Sequence, residues 1–205
     1  MRFPVASAVA LAAVMLLAGC AVQPAPADPG DQSIESTASS PIDVPGSTLG
    51  ASAVTADAPD GLSLAIVGAP DAGEQESLVR AAVDGFARSH DAVVTVHADA
   101  SASDAVAAAL ALEPDVIVGI GPAVVGGIDR ASASHLETSF LVLGTQLAEP
   151  TGNVVAVVWP GADERAVFAD EELAFSGADV YAEDAVEVGL AAFASGLDGH
   201  VILLD

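Results

Sequence analysis

The chain has no lysine, and its five arginines face 29 aspartates and glutamates, for a formal charge of −24 over 205 residues. Nucleic-acid binding rests on cations that neutralise phosphates, so this composition excludes nucleic acid as a partner. The same acidity repels anionic lipid headgroups, so membrane association needs a hydrophobic device instead of a basic patch. Cysteine occurs once, at Cys20, which leaves no disulfide to be closed within the chain. The four histidines, His90, His97, His135 and His200, are scattered with no pair at metal-ligand spacing. Each reads as a surface or strand-end residue. No G-x-S-x-G elbow occurs, and without lysine no P-loop can be completed. These absences point to a non-enzyme with no cofactor and no metal.

What is present begins at the N-terminus. Arg2 precedes an apolar run from Val5 to Leu17, followed by the small pair Ala18 and Gly19 and then Cys20. This is the three-part layout of a secretory signal. The run is shorter than the roughly 20 residues a permanent membrane helix needs, so residues 1–19 read as a removed signal peptide. Leu17-Ala18-Gly19-Cys20 resembles the lipobox of bacterial lipoproteins. That resemblance implies a diacylglycerol on the Cys20 sulfur and a mature chain that starts there, tied to the outer face of the cell membrane. The alternative is a chance cysteine at the end of a signal.

Residues 20–60 follow with no aromatic residue and with six of the chain's twelve prolines among Ser, Thr, Ala, Asp and Gly. Such a segment cannot bury enough apolar surface to offset its ordering entropy. It reads as a disordered tether with a reach of roughly 35 Å. The other reading is a partly structured extension packed on the domain, with Ile42, Val44 and Leu49 as its anchors.

From residue 61 to 205 the pattern changes. Near-continuous apolar runs at 62–68, 92–98, 115–121, 139–144, 153–159 and 200–205 suit strands covered on both faces. Between them, Leu78, Ala82 and Phe86 line one helical face, and so do Val186, Leu190 and Phe193. Asp71 with Glu74, and Ser101 with Asp104, have the spacing of helix starts. Pro114 stops the helix that runs through Leu112. The alternation predicts one α/β domain, a doubly wound, mostly parallel sheet with helices on both faces. Ligands of such sheets sit beyond the strand carboxyl ends, where the turns at 68–74, 98–103, 119–127 and 159–164 fall. Gly121 and Pro122 there suit either a tight strand-to-helix turn or an anion cradle, although Val124 stands where the dinucleotide fingerprint needs glycine. Trp159, the only tryptophan, is placed either to stack on a ligand ring or to cap the core. Acidic clusters at Asp163-Glu164 and Asp170-Glu171-Glu172 offer oxygens to a hard cation or form a solvated face.

Residues 113–144, "EPDVIVGIGPAVVGGIDRASASHLETSFLVLG", and 153–168, "NVVAVVWPGADERAVF", resemble the basic membrane protein (BMP) group of solute-binding lipoproteins, within the periplasmic-binding-protein-like α/β folds. The correspondence rests on the Gly-terminated strand, Phe140, Asn153, Val154 and Glu164. It implies a solute-binding lobe, a small neutral ligand such as a nucleoside or sugar, and an ABC permease or other envelope protein as partner. Ligand-facing positions are then Asp71, Gly121, Pro122, Trp159 and Glu164. The chain departs from the group after the first strand, where Glu76-Ser77-Leu78 replaces a Ser-Phe-Asn stretch. It also departs in the 37 residues after Phe168, too few for a second lobe. A non-catalytic scaffold that binds no solute is the competing expectation.

Overall fold

The computed structural model describes residues 44–98, 101–165 and 173–205. Cys20, Ile42 and the Asp170-Glu171-Glu172 cluster lie outside the described residues. The strands are β1 (Thr48–Gly50), β2 (Ser63–Val67), β3 (Val93–His97), β4 (Val116–Ile120), β5 (Ser139–Leu143), β6 (Val154–Val158) and β7 (Val201–Leu203). They form one sheet in the order β1-β7-β6-β5-β4-β2-β3, with every neighbouring pair parallel. The β-branched runs of β4 and β6 are buried at every position, because both sheet faces are covered.

Among the described residues four α-helices cover them: α1 (Glu74–Ser89), α2 (Ala102–Leu110), α3 (Val125–Ser132) and α4 (Ala178–Ala194). Val79, Val83 and Phe86 of α1 and Val186 and Leu190 of α4 pack on the face that carries Ile66, Val118, Leu141 and Val157. Val106 of α2 and Ile128 of α3 pack on the opposite face with Ile117, Phe140 and Ala156. The chain therefore leaves β2 toward one face and the adjacent β4 toward the other. This makes the carboxyl ends of β2 and β4 the switch point of a doubly wound fold.

Part of the segment expected as a tether over residues 20–60 packs on the domain, as the other reading has it. Thr48, Leu49 and Gly50 pair with Val201, Ile202 and Leu203 as an edge strand. Ser195 Oγ accepts the Thr55 and Ala56 amides at 3.1 and 3.0 Å, and Ala58 is buried. The open edge of β7 leaves backbone groups that an extended neighbour can satisfy, and Leu49 alone anchors that neighbour in the core. Val44, the other expected anchor, is exposed.

Helix starts follow the expected chemistry only in part. Ser101 caps α2, its Oγ accepting the Asp104 amide at 3.2 Å and donating to Asp104 Oδ2 at 2.7 Å. At α1 the cap is Gly73 and Asp71 makes no capping bond. The α2 helix stops at Leu110, and Glu113 takes φ 49° directly before Pro114. At the amino ends of β2 and β4, Asp115 Oδ2 accepts from Ser63 N at 2.8 Å and from Ser63 Oγ at 2.6 Å. These bonds hold the Asp115 carboxyl below the usual aspartate range, with the Ser63 side chain as the larger cause.

Candidate functional site

The carboxyl rim is shaped by glycines in left-handed conformations that side chains resist. Gly121 follows β4 at φ 71°, and its amide donates to Leu143 O of β5 at 2.9 Å. Pro122 then opens a single 3-10 turn leading into α3, the tight strand-to-helix turn of the first reading. Gly144 follows β5 at φ 77° and donates to Val157 O. Over both glycines lies the ring of Phe175. A Cβ added at Gly121 would stand 3.1 Å from Phe175 Cε1 and 3.5 Å from Glu76 Cγ. One added at Gly144 would overlap the ring edge and meet the Trp159 indole at 3.0 Å.

Phe175 belongs to a short strap, residues 173–177, held down by local hydrogen bonds. Ala174 N donates to Glu164 Oε2 at 3.1 Å, and Ser176 N donates to Gly161 O at 2.9 Å. Trp159 Nε1 donates to Ser176 O at 2.7 Å, and Ala178 N donates to Gln75 Oε1 at 2.9 Å. Beneath the turn after β2 a cavity of about 20 Å³ remains, lined by Ile66, Gly68, Ala72, Glu76, Val96 and Ile120. It has room for about one water. Larger hollows, of about 360 and 330 Å³, run along α1 and α4 between small and charged side chains. The first lies along the middle of the two helices, and the second reaches their first turns at Leu78, Ala178 and Asp179, beside the strap.

The expected ligand-facing residues separate on this map. Gly121 sits at the switch point, with Pro122 half-buried beside it and Asp71 exposed on the preceding turn. Trp159 lies beneath the Phe175 ring. Its side chain is fully buried, with ring centroids 6.1 Å from Phe175 and 6.3 Å from Tyr181, and its one donor is used. The core-capping alternative describes it. Glu164 acts on the strap rather than on the crevice. Among the described residues no cluster of three or more His, Cys, Asp or Glu is placed to hold a metal. No described helix is long and apolar enough to cross a membrane.

Three residues of the rim escape sequence reasoning. Phe175 is an isolated aromatic between Ala174 and Ser176, outside any periodic run. Thr145 and Gln146 follow Gly144 and are 1% and 9% exposed, yet Thr145 Oγ1 and Gln146 Oε1 have no hydrogen-bond partner. His97 Nε2, at the end of β3, is the third such atom among the described residues. All three lie at strand carboxyl ends.

No family model matches the chain, and no curated protein does. Two solved structures resemble part of it. One is an ABC transporter solute-binding protein from Aeropyrum pernix K1, at 15% identity and TM-score 0.44, over 49% of this chain and 29% of the other. The second is an ABC transporter solute-binding protein from Conexibacter woesei DSM 14684, at 16% identity and TM-score 0.40, over 48% of this chain and 35% of the other. The chain thus spans about a third of the length of either protein. Neither likeness bears on function.

Proposed function

We propose that the chain is a lipid-anchored, extracytoplasmic binding module that takes a small neutral solute, a nucleoside or a sugar, at the carboxyl ends of β2, β4 and β5 and presents it to an ABC-type permease. The observation that carries this reading is the seat of Phe175. A ring lies against two left-handed glycines, Gly121 at the switch point and Gly144 beside it at the end of β5, so a ring-sized place exists where this fold binds ligands, filled by the protein's own strap. The solute enters as Phe175 withdraws. The acidity of the chain disfavours an anionic solute. The N-terminal signal and Cys20 support delivery across the membrane and retention there by lipid, and the resemblance to the basic membrane protein group agrees with both.

One observation favours the second reading, an envelope interaction protein that binds no solute: the cavity beneath the turn after β2 holds about 20 Å³, room for about one water and not for a solute. A thermal-shift panel of nucleosides and sugars at millimolar concentration separates the two. The binding reading expects at least one solute to raise the melting temperature and to change Trp159 emission, since the indole borders the strap. A flat panel favours the scaffold. For the anchor, Cys20→Ala is expected to abolish fatty-acid labelling and release the protein from the membrane fraction, and continued labelling overturns it.

A further inference from the structure

We infer that Thr145 and Gln146 form the polar end of this same site, and that its solute is a neutral ring carrying a hydrogen-bond donor; this rests on the solute-binding reading above. Buried polar atoms almost always find partners, and each one left alone costs roughly as much as a lost hydrogen bond. Among the described residues three buried side-chain atoms lack one, and two of them belong to consecutive residues directly beyond Gly144. The strand interiors and the amino ends show none among the described residues. At the amino rim even Asn153 has all its polar atoms engaged. Two of the three unpaired atoms thus belong to the residues that follow in the chain on Gly144, where the Phe175 ring is seated.

Their chemistry selects the solute. Gln146 Nε2 donates to Asp163 O at 2.8 Å, which fixes the amide orientation, because the reverse would set two carbonyl oxygens against each other. Oε1 is then a pure acceptor and requires a donor from outside. The Thr145 hydroxyl gives or takes a hydrogen bond. Arg165, whose backbone bridges to Gln146, turns its guanidinium to the Ala148 carbonyl at 3.1 Å. Neither Thr145 nor Gln146 offers a counter-charge to an ion, and burying one unpaired is costly. The seat of Phe175 against Gly144 accounts for the ring, and the two atoms beyond account for the donor.

The test uses the full-length protein with benzamide, a neutral ring bearing N–H donors, and toluene, a ring without one. Thr145→Val removes the hydroxyl with little change of shape, and Thr145→Ser keeps it. Without any solute, the valine variant is expected to melt roughly 2–4 °C above the parent, because an unpaired buried hydroxyl is gone. Benzamide is expected to stabilise the parent and the serine variant and to bind the valine variant at least fivefold more weakly. Toluene is expected to distinguish none of the three. A valine variant that melts lower shows that the hydroxyl is already satisfied and overturns the assignment. Unchanged benzamide affinity in that variant also overturns it, while leaving the solute-binding reading in place. If neither benzamide nor any nucleoside or sugar protects the parent, both fall together.

Discussion

Gly144→Ala is expected to destabilise the domain by about 2–5 kcal/mol, the sum of placing a side chain in the left-handed region and of overpacking against a seated ring. The substitution changes one methyl group, but at φ 77° that methyl is directed into the Phe175 edge and stands 3.0 Å from Trp159. The indole cannot retreat, since it is fully buried and bonded to Ser176 O. The ring can, because the strap is tied down mainly by a few local hydrogen bonds. Phe175→Ala in the Gly144→Ala background is therefore expected to recover part of the loss, with the double variant about 1–3 kcal/mol more stable than additivity gives. Urea unfolding of the four proteins measures this coupling. Strict additivity would mean that the ring is not seated on Gly144 in solution.

Asn153→Ala is expected to cost about 2–4 kcal/mol, for a reason confined to the opposite rim. Asn153 Nδ2 donates to the carbonyls of Ser132, His135 and Thr138 at 3.3, 2.9 and 2.9 Å, while its Oδ1 accepts from Thr151 at 2.6 Å. One buried amide thereby closes the end of α3 and fixes the connection into β5. Alanine leaves those carbonyls without their shared donor. Asn153→Asp is expected to be worse at neutral pH, since a carboxylate offers only acceptors to three acceptors. Both variants should retain solute binding wherever they remain folded, because Asn153 stands at the amino end of β6. Chemical denaturation alongside the solute panel checks the pair, and lost binding in a folded variant would contradict this division between a structural and a functional rim.

The architecture was legible because its strands are apolar on both faces. A run such as 116–120 has no alternation to misread, and the intervening stripes of α1 and α4 carry the helical period. The edge strand β1 was not, since three residues pairing through their backbone leave no side-chain pattern, and Leu49 is their one anchor. At the rim, Gly121 and Pro122 were readable as a turn from composition alone, because the glycine supplies a conformation other residues resist. For Trp159 two roles stood open, because a strand-end tryptophan looks the same in sequence whether or not something lies on top of it. Phe175 does lie there, and it arrives from a segment with no periodicity of its own. Thr145 and Gln146 were invisible for a deeper reason: an unpartnered atom is defined by what surrounds it, and the sequence around them is ordinary.

The central claim is that a solute displaces Phe175 at the carboxyl rim. Backbone amide chemical shifts recorded while nucleosides and sugars are titrated into the full-length protein test it most directly. The account predicts that a binding solute moves the resonances of Gly121, Gly144, Thr145, Gln146 and the strap at 173–177, and leaves Ser63, Asp115 and Asn153 at the amino rim unchanged. Shifts confined to the α1–α4 groove or to the amino rim, with Gly144 and Phe175 undisturbed at saturation, would contradict it.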